Sequence, residues 1–126
     1  GSHIDTVRNA GRYDGILGVM LGITLVDCLY HHGIPLPFDI DVIAFSEEEG
    51  VRYAMPYLGS MAVAGCFDKT LLDRIDSHSV SMRQALLQMG LNPEPLANWA
   101  YSPEDVMGYF EAHIEQGHVL DDEQLQ

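Results

Sequence analysis

Apolar and polar positions alternate in blocks that read as a succession of strands, helices and turns. "GSHIDTV" reads as the end of a strand running into a loop, and "NAGRYDG" as a loop rich in Gly and Asn. Ile16 to His32 is apolar on nearly all sides, which predicts a buried helix, with Gly33 as its stop. Pro35 and Pro37 then interrupt the chain. Ile40 to Phe45 is β-branched and apolar, the pattern of a strand covered on both faces. Leu58 to Gly65, with its small residues, predicts a short packed helix, and residues 67–78 an irregular or partly helical stretch. Val80 to Met89 has the spacing of an amphipathic helix, with Ser79 or Ser81 as N-cap and Gly90 just past its end. "LNPEPLANWAYSPED" reads as a connection, "VMGYFEAHIEQG" as a final strand ending in polar residues, and "DDEQLQ" as a frayed tail. No repeat or low-complexity block is visible. Strands alternating with helices predict an α/β layered domain.

Composition narrows the function classes. The chain has 126 residues, the size of one domain, and is 47% hydrophobic, enough for a core. Its net charge of −13 argues against nucleic acid and against an anionic membrane surface, since both need basic patches. The apolar stretch Ile16 to Tyr30 contains Asp27 and falls short of the roughly 20 residues of a membrane span. Cys28 and Cys66 have no metal-ligand spacing around them, so buried thiols in a reduced, cytoplasmic protein are expected. Nothing at the start reads as a secretory signal.

The polar residues that follow apolar runs carry the chemistry. They are His3, Asp5, Asp14, the triplet Glu47, Glu48 and Glu49, and then His113, Glu115 and Gln116. Ligands of open α/β sheets bind beyond the carboxyl ends of the strands. Imidazole and carboxylate without thiolate suit Zn²⁺, Mn²⁺ or Co²⁺. Taken singly, a His at a strand end is ordinarily a hydrogen-bonded surface residue, and an acidic triplet ordinarily a solvated turn. His31 and His32 sit at a helix end and read as cap-like; His78 and His118 read as surface residues.

"GSHIDTV", "YDGILGV", "FSEEEGVRY", "LGSMAVAG" and "YFEAHIEQGHVL", in this order, resemble the amidohydrolase branch of the aminoacylase and carboxypeptidase G metallopeptidase clan. That branch contains allantoate amidohydrolases, N-carbamoyl-L-amino acid hydrolases and bacterial-type β-ureidopropionases. The resemblance implies a three-layer α/β/α zinc-peptidase-like catalytic domain holding two divalent ions, Zn²⁺ or Mn²⁺, with Co²⁺ and Ni²⁺ as further candidates. It implies His3 and His113 as ligands of the first ion, Asp14 as the carboxylate bridging both, and Glu49 as a ligand of the second. It implies Asp5 as the carboxylate that orients His3, Glu48 as general base, Glu47 as a helper, and Gln116 as a substrate contact. Arg52 is expected to brace the loop.

Three departures from the family pattern stand out: Met61 after Gly59-Ser60 where Arg or Lys is usual, "NAG" at Asn9 to Gly11 for "NGG", and His118 where Pro is frequent. None removes a proposed ligand. Full members of the family are much longer, with an inserted dimerisation (lid) domain and a C-terminal return carrying a further His ligand. Residues 1–126 are therefore expected to form an incomplete catalytic domain that associates, as a homodimer, to cover exposed apolar surface. The implied reaction is hydrolysis of linear C–N amide bonds in small ureido acids. An aminoacylase- or peptidase-like relative acting on N-acyl amino acids, and an inactive metal-binding fragment, remain open beside it.

Overall fold

The computed structural model describes residues 1–125. Two short strands, β1 (Ser2–His3) and β2 (Ala44–Phe45), pair in parallel, with Ser2 opposite Ala44 and His3 opposite Phe45. The connection between them contains α1 (Ile16–His31), as a parallel crossover requires. α2 (Leu58–Val63), a 3₁₀ turn over Lys69–Asp73, α3 (Met82–Gln88), a second 3₁₀ turn over Leu96–Trp99, and one helical turn, α4 (Val119–Asp122), follow. Among the described residues no helix is long and apolar enough to cross a membrane.

Local chemistry explains the helix ends. The Ser81 hydroxyl accepts from the Gln84 amide at 3.1 Å while the Gln84 side chain accepts from the Ser81 amide at 3.0 Å, a reciprocal capping box at the start of α3. Gly90, at φ +79°, closes the other end: its amide donates to Leu87 and that of Leu91 to Leu86. Gly33 ends α1 through the same pair of bonds, to Tyr30 and Leu29.

The core lies between α2, the first 3₁₀ turn and α3. Tyr53, Leu58, Leu72 and Met82 form it, with Met55, Met61, Phe67, Leu71, Leu86 and Leu96 packed around them. Arg74 fastens this lobe to the acidic loop by donating to the carbonyls of Tyr53 (2.8 Å) and Ala54 (3.2 Å). Arg52 does the same from the other direction, donating to Asp76 at 3.0 Å, as expected of a loop brace.

The sequence pattern overstated burial and strand length. α1 forms where expected, but only Gly18 and Val19 are buried, and Leu21, Ile23 and Leu25 are about half exposed. No described element packs across its outer faces. Gly18 is the seat: a Cβ there would come within 2.3 Å of the Ala112 carbonyl oxygen and 2.6 Å of the Ser2 Cβ. The expected strand over 40–45 narrows to Ala44–Phe45, because Asp39 and Asp41 break the apolar run and Ile40 is exposed. The segment 106–115 joins no ladder, so the final strand is not formed. The expected frayed tail instead begins with α4, whose turn is hydrogen-bonded from Asp122 back to His118 at 2.8 Å; its last residue, Gln126, lies outside the described residues. Cys28 and Cys66 are exposed thiols, not buried ones.

Candidate metal centre

β1 and β2 run in parallel, so their carboxyl ends share one edge, and the chain delivers its polar residues there. His3 closes β1 and is fully buried. Asp5 follows, and Asp14, also buried, ends the loop leading to α1. The acidic triplet leaves β2 in a turn with Glu47 at φ 57°. His113 and Gln116 arrive from the far end of the chain.

Asp5 does not orient His3 through its carboxylate. Its two oxygens accept the main-chain amides of Glu48 at 3.0 Å and Glu49 at 3.1 Å, and its main-chain carbonyl accepts from Nδ1 of His3 at 2.6 Å. One residue thereby fixes both the imidazole and the acidic turn.

The two imidazoles show what the site is built to hold. Nδ1 of His3 faces a carbonyl oxygen, and so does Nδ1 of His113, at 2.6 Å from Ile114. A carbonyl only accepts, so each Nδ1 carries a proton and Nε2 is the nitrogen each ring has left to offer a ligand. These two Nε2 atoms face each other at 2.9 Å, and Oδ1 of Asp14 lies 3.5 Å from the first. Two ring nitrogens so close share either a proton or a metal cation. Two imidazole nitrogens and a carboxylate form a donor set that fits a divalent ion of the zinc type.

Ligand atoms of His3, Asp14 and His113 lie within 4.8 Å of one another, and so do those of His3, Glu48 and Glu49. The residue common to the two groups is His3; Asp14 reaches Glu49 only through Gln116. The Gln116 amide donates to both Asp14 oxygens, at 3.1 and 3.3 Å, and also to Glu49. A neutral amide between two carboxylates stands where a cation would offset their repulsion. Burial raises the Glu48 carboxyl above the usual range; His3 opposes the rise, and the negative charges of Glu49 and Asp5 add to it. Burial also raises Glu47, with Asp5 adding and Arg52 opposing.

His31 and His32 point their Nδ1 atoms at the carbonyls of Asp27 (2.9 Å) and Cys28 (2.8 Å) in the last turn of α1, as cap-like residues do, and His78 and His118 are exposed. Sequence reasoning missed Ser2 and Glu111, whose side chains bond at 2.7 Å beside the two imidazoles. The signal was present: in an extended segment, Tyr109, Glu111 and His113 share one face.

Comparison with known proteins places this geometry in context. The Peptidase_M20 family, described as Peptidase family M20/M25/M40, matches residues 1–126. The chain is 41% identical over 122 residues to the N-carbamoyl-L-amino acid amidohydrolase of Geobacillus stearothermophilus, covering 97% of this chain and 30% of that protein. It is 42% identical over 125 residues to allantoate deiminase 1 of Glycine max, covering 96% of this chain and 26% of that protein. A hydantoinase/carbamoylase family amidase from Burkholderia ambifaria, known as a crystal structure, superposes with a TM-score of 0.80 at 33% identity, over 98% of this chain and 29% of the other. The chain thus spans less than a third of the length of these relatives.

Proposed function

The chain belongs to the metal-dependent peptidase family M20/M25/M40, and from that premise we propose that it carries the metal-binding half of an amidohydrolase site for linear C–N bonds in small ureido acids, allantoate or N-carbamoyl amino acids. The observation that carries this reading is the convergence of the Nε2 atoms of His3 and His113, 2.9 Å apart, with the carboxylate of Asp14. The names of the relatives supply the substrate class. In this reading residues 1–126 are part of a three-layer catalytic domain. His3, Asp14 and His113 would hold one ion, and Glu49, with a carboxylate shared from Asp14, would hold a second, as Zn²⁺ or Mn²⁺. Two unpaired thiols suit a reducing, cytoplasmic setting.

A bound divalent ion supplies Lewis acidity and lowers the pKa of water towards neutrality. The chain's own residues do the rest. Glu48, held by its amide to Asp5, is the general base: it takes a proton from water attacking the ureido carbonyl and returns it to the leaving nitrogen. Its raised proton affinity suits the second half of that cycle. Asp5 keeps Glu48 and Glu49 adjacent but in separate roles. Gln116, which donates to Asp14, would exchange that partner for the substrate's polar groups.

The test is metal analysis of the dialysed chain, since residues 1–126 alone are expected to be inactive, together with ammonia release from N-carbamoyl amino acids and from allantoate by the full-length protein. Glu48→Gln keeps its metal and loses turnover by about 10²–10⁴-fold, whereas Glu49→Gln loses metal first. A chain that takes up no zinc overturns the reading, and swapped phenotypes move the base to Glu49.

A further inference from the structure

Ser2 and His3 are consecutive in β1, and Glu111 and His113 are two residues apart in the segment that meets them. The Ser2 hydroxyl, fully buried, donates to one oxygen of Glu111 at 2.7 Å, and the Tyr109 hydroxyl donates to the other at 2.9 Å. The next contact along is the pair of imidazoles of His3 and His113 at 2.9 Å. The segment 106–115 has no ladder with β1, and the main-chain bond that ties the two is from Gly1 to Phe110, at 3.0 Å. One bond from the Gly1 amino group fixes the segment's placement weakly, so a slip of one residue along β1 would re-aim its side chains. Here the slip would carry His113 away from His3.

Resting on the metal-site reading above, we propose that Glu111 is a positioning residue: through Ser2 it pins the register of segment 109–113 on β1 and so presents Nε2 of His113 to the ion. Both of its oxygens are occupied by hydroxyl donors, and one donor is completely buried, so the carboxylate has a single seat. Gly18 leaves no slack beneath it, since a Cβ there would strike both Ser2 and the Ala112 carbonyl. Glu111 itself does not touch the ion.

The test uses the intact chain and reads zinc affinity by competition with a chromophoric chelator, the visible spectrum of the Co²⁺-loaded protein, and thermal unfolding. Glu111→Ala is expected to weaken zinc binding by about 10–100-fold, the usual effect of losing a group that orients a ligand, and to shift the Co²⁺ spectrum. Ser2→Ala, which removes one of the two Glu111 contacts, should weaken it by up to as much, and the double substitution no further than Glu111→Ala, because Ser2 acts through Glu111. Glu111→Gln keeps an acceptor for Ser2 and should bind within about threefold of the parent, since a neutral acceptor retains most of a hydroxyl's hydrogen bond. If Glu111→Ala does not fold, Ser2→Ala and Glu111→Gln carry the test. Parent-like affinity and spectrum in folded Glu111→Ala or in Ser2→Ala overturn the inference alone. A parent chain that takes up no metal overturns the site reading, and the inference with it.

Discussion

Asp5→Ala should loosen the acidic turn while leaving the main-chain bond to the first imidazole in place. The Asp5 carboxylate accepts two main-chain amides, at 3.0 and 3.1 Å, and neither Glu48 nor Glu49 has another acceptor for that N–H among the described residues. Hydrogen bonds to a charged group contribute about 1.5–3 kcal/mol each. The turn is only partly buried and the two bonds share one carboxylate, so the pair is worth roughly 2–3 kcal/mol. For 126 residues, an unfolding entropy of about 2.1 cal/mol/K per residue converts this to a Tm lowered by roughly 10 °C. Asp5→Asn retains one acceptor and sets an amide donor against the second N–H, so it should fall between. Differential scanning calorimetry of the metal-free chain measures this directly, and zinc titration of the same samples should show weaker uptake. Asp5→Ala unfolding within about 2 °C of the parent, a shift worth under 1 kcal/mol, would refute the reasoning and make the two amide contacts incidental.

Other outcomes follow from separate features. Leu72→Ala opens a cavity at a fully buried position between Tyr53, Leu58 and Met82, and should cost about 2–5 kcal/mol in urea unfolding. The Asp76 carboxyl is held below the usual range, first by the Val80 amide, then by that of His78 and by Arg52, against an opposing effect of burial. A depressed folded-state pKa gives stability that is present above the unfolded value and lost as pH falls through the folded one, so acid unfolding should steepen below about pH 4, and Asp76→Ala should flatten that limb. Light scattering at micromolar concentration should show a species heavier than 14.0 kDa, because Leu17, Leu21 and Leu25 leave α1 with an open apolar face; a clean monomer would show that water tolerates that face.

Local signals in the sequence survived into the structure where they act locally. Ser81, Gln84 and Gly90 bound α3 through bonds made within a few residues, so their pattern suffices. The burial of α1 was not legible: an all-round apolar pattern states that a helix wants cover, not that these residues provide it. The strand over 106–117 failed for a related reason, since a ladder needs a partner edge and the pattern describes one side only. At the site, residue types and their order offered nine polar candidates, and the family resemblance narrowed them to His3, Asp14, Glu48, Glu49 and His113, which fall into the two groups of neighbouring ligand atoms. The His-x-Asp spacing did not reveal that Asp5 uses its carbonyl for the ring and its carboxylate for the turn. That choice depends on where residues 48 and 49 come to lie, more than forty positions away.

His3 and His113 meet across 110 positions of chain, so the site is among the last things that can exist as the polypeptide collapses. Every shorter-range feature, from the capped helix α3 to the cluster around Leu72, can form before those two rings come within reach. The entropy of closing a loop grows only slowly with its length, but it must be met in full before the contact returns anything. An ion joining the two rings would act on the folding pathway as a clasp on its outermost loop, slowing the opening of the molecule far more than it speeds the closing. Metal uptake would then serve as a timer for the final step of folding as well as a measure of the site.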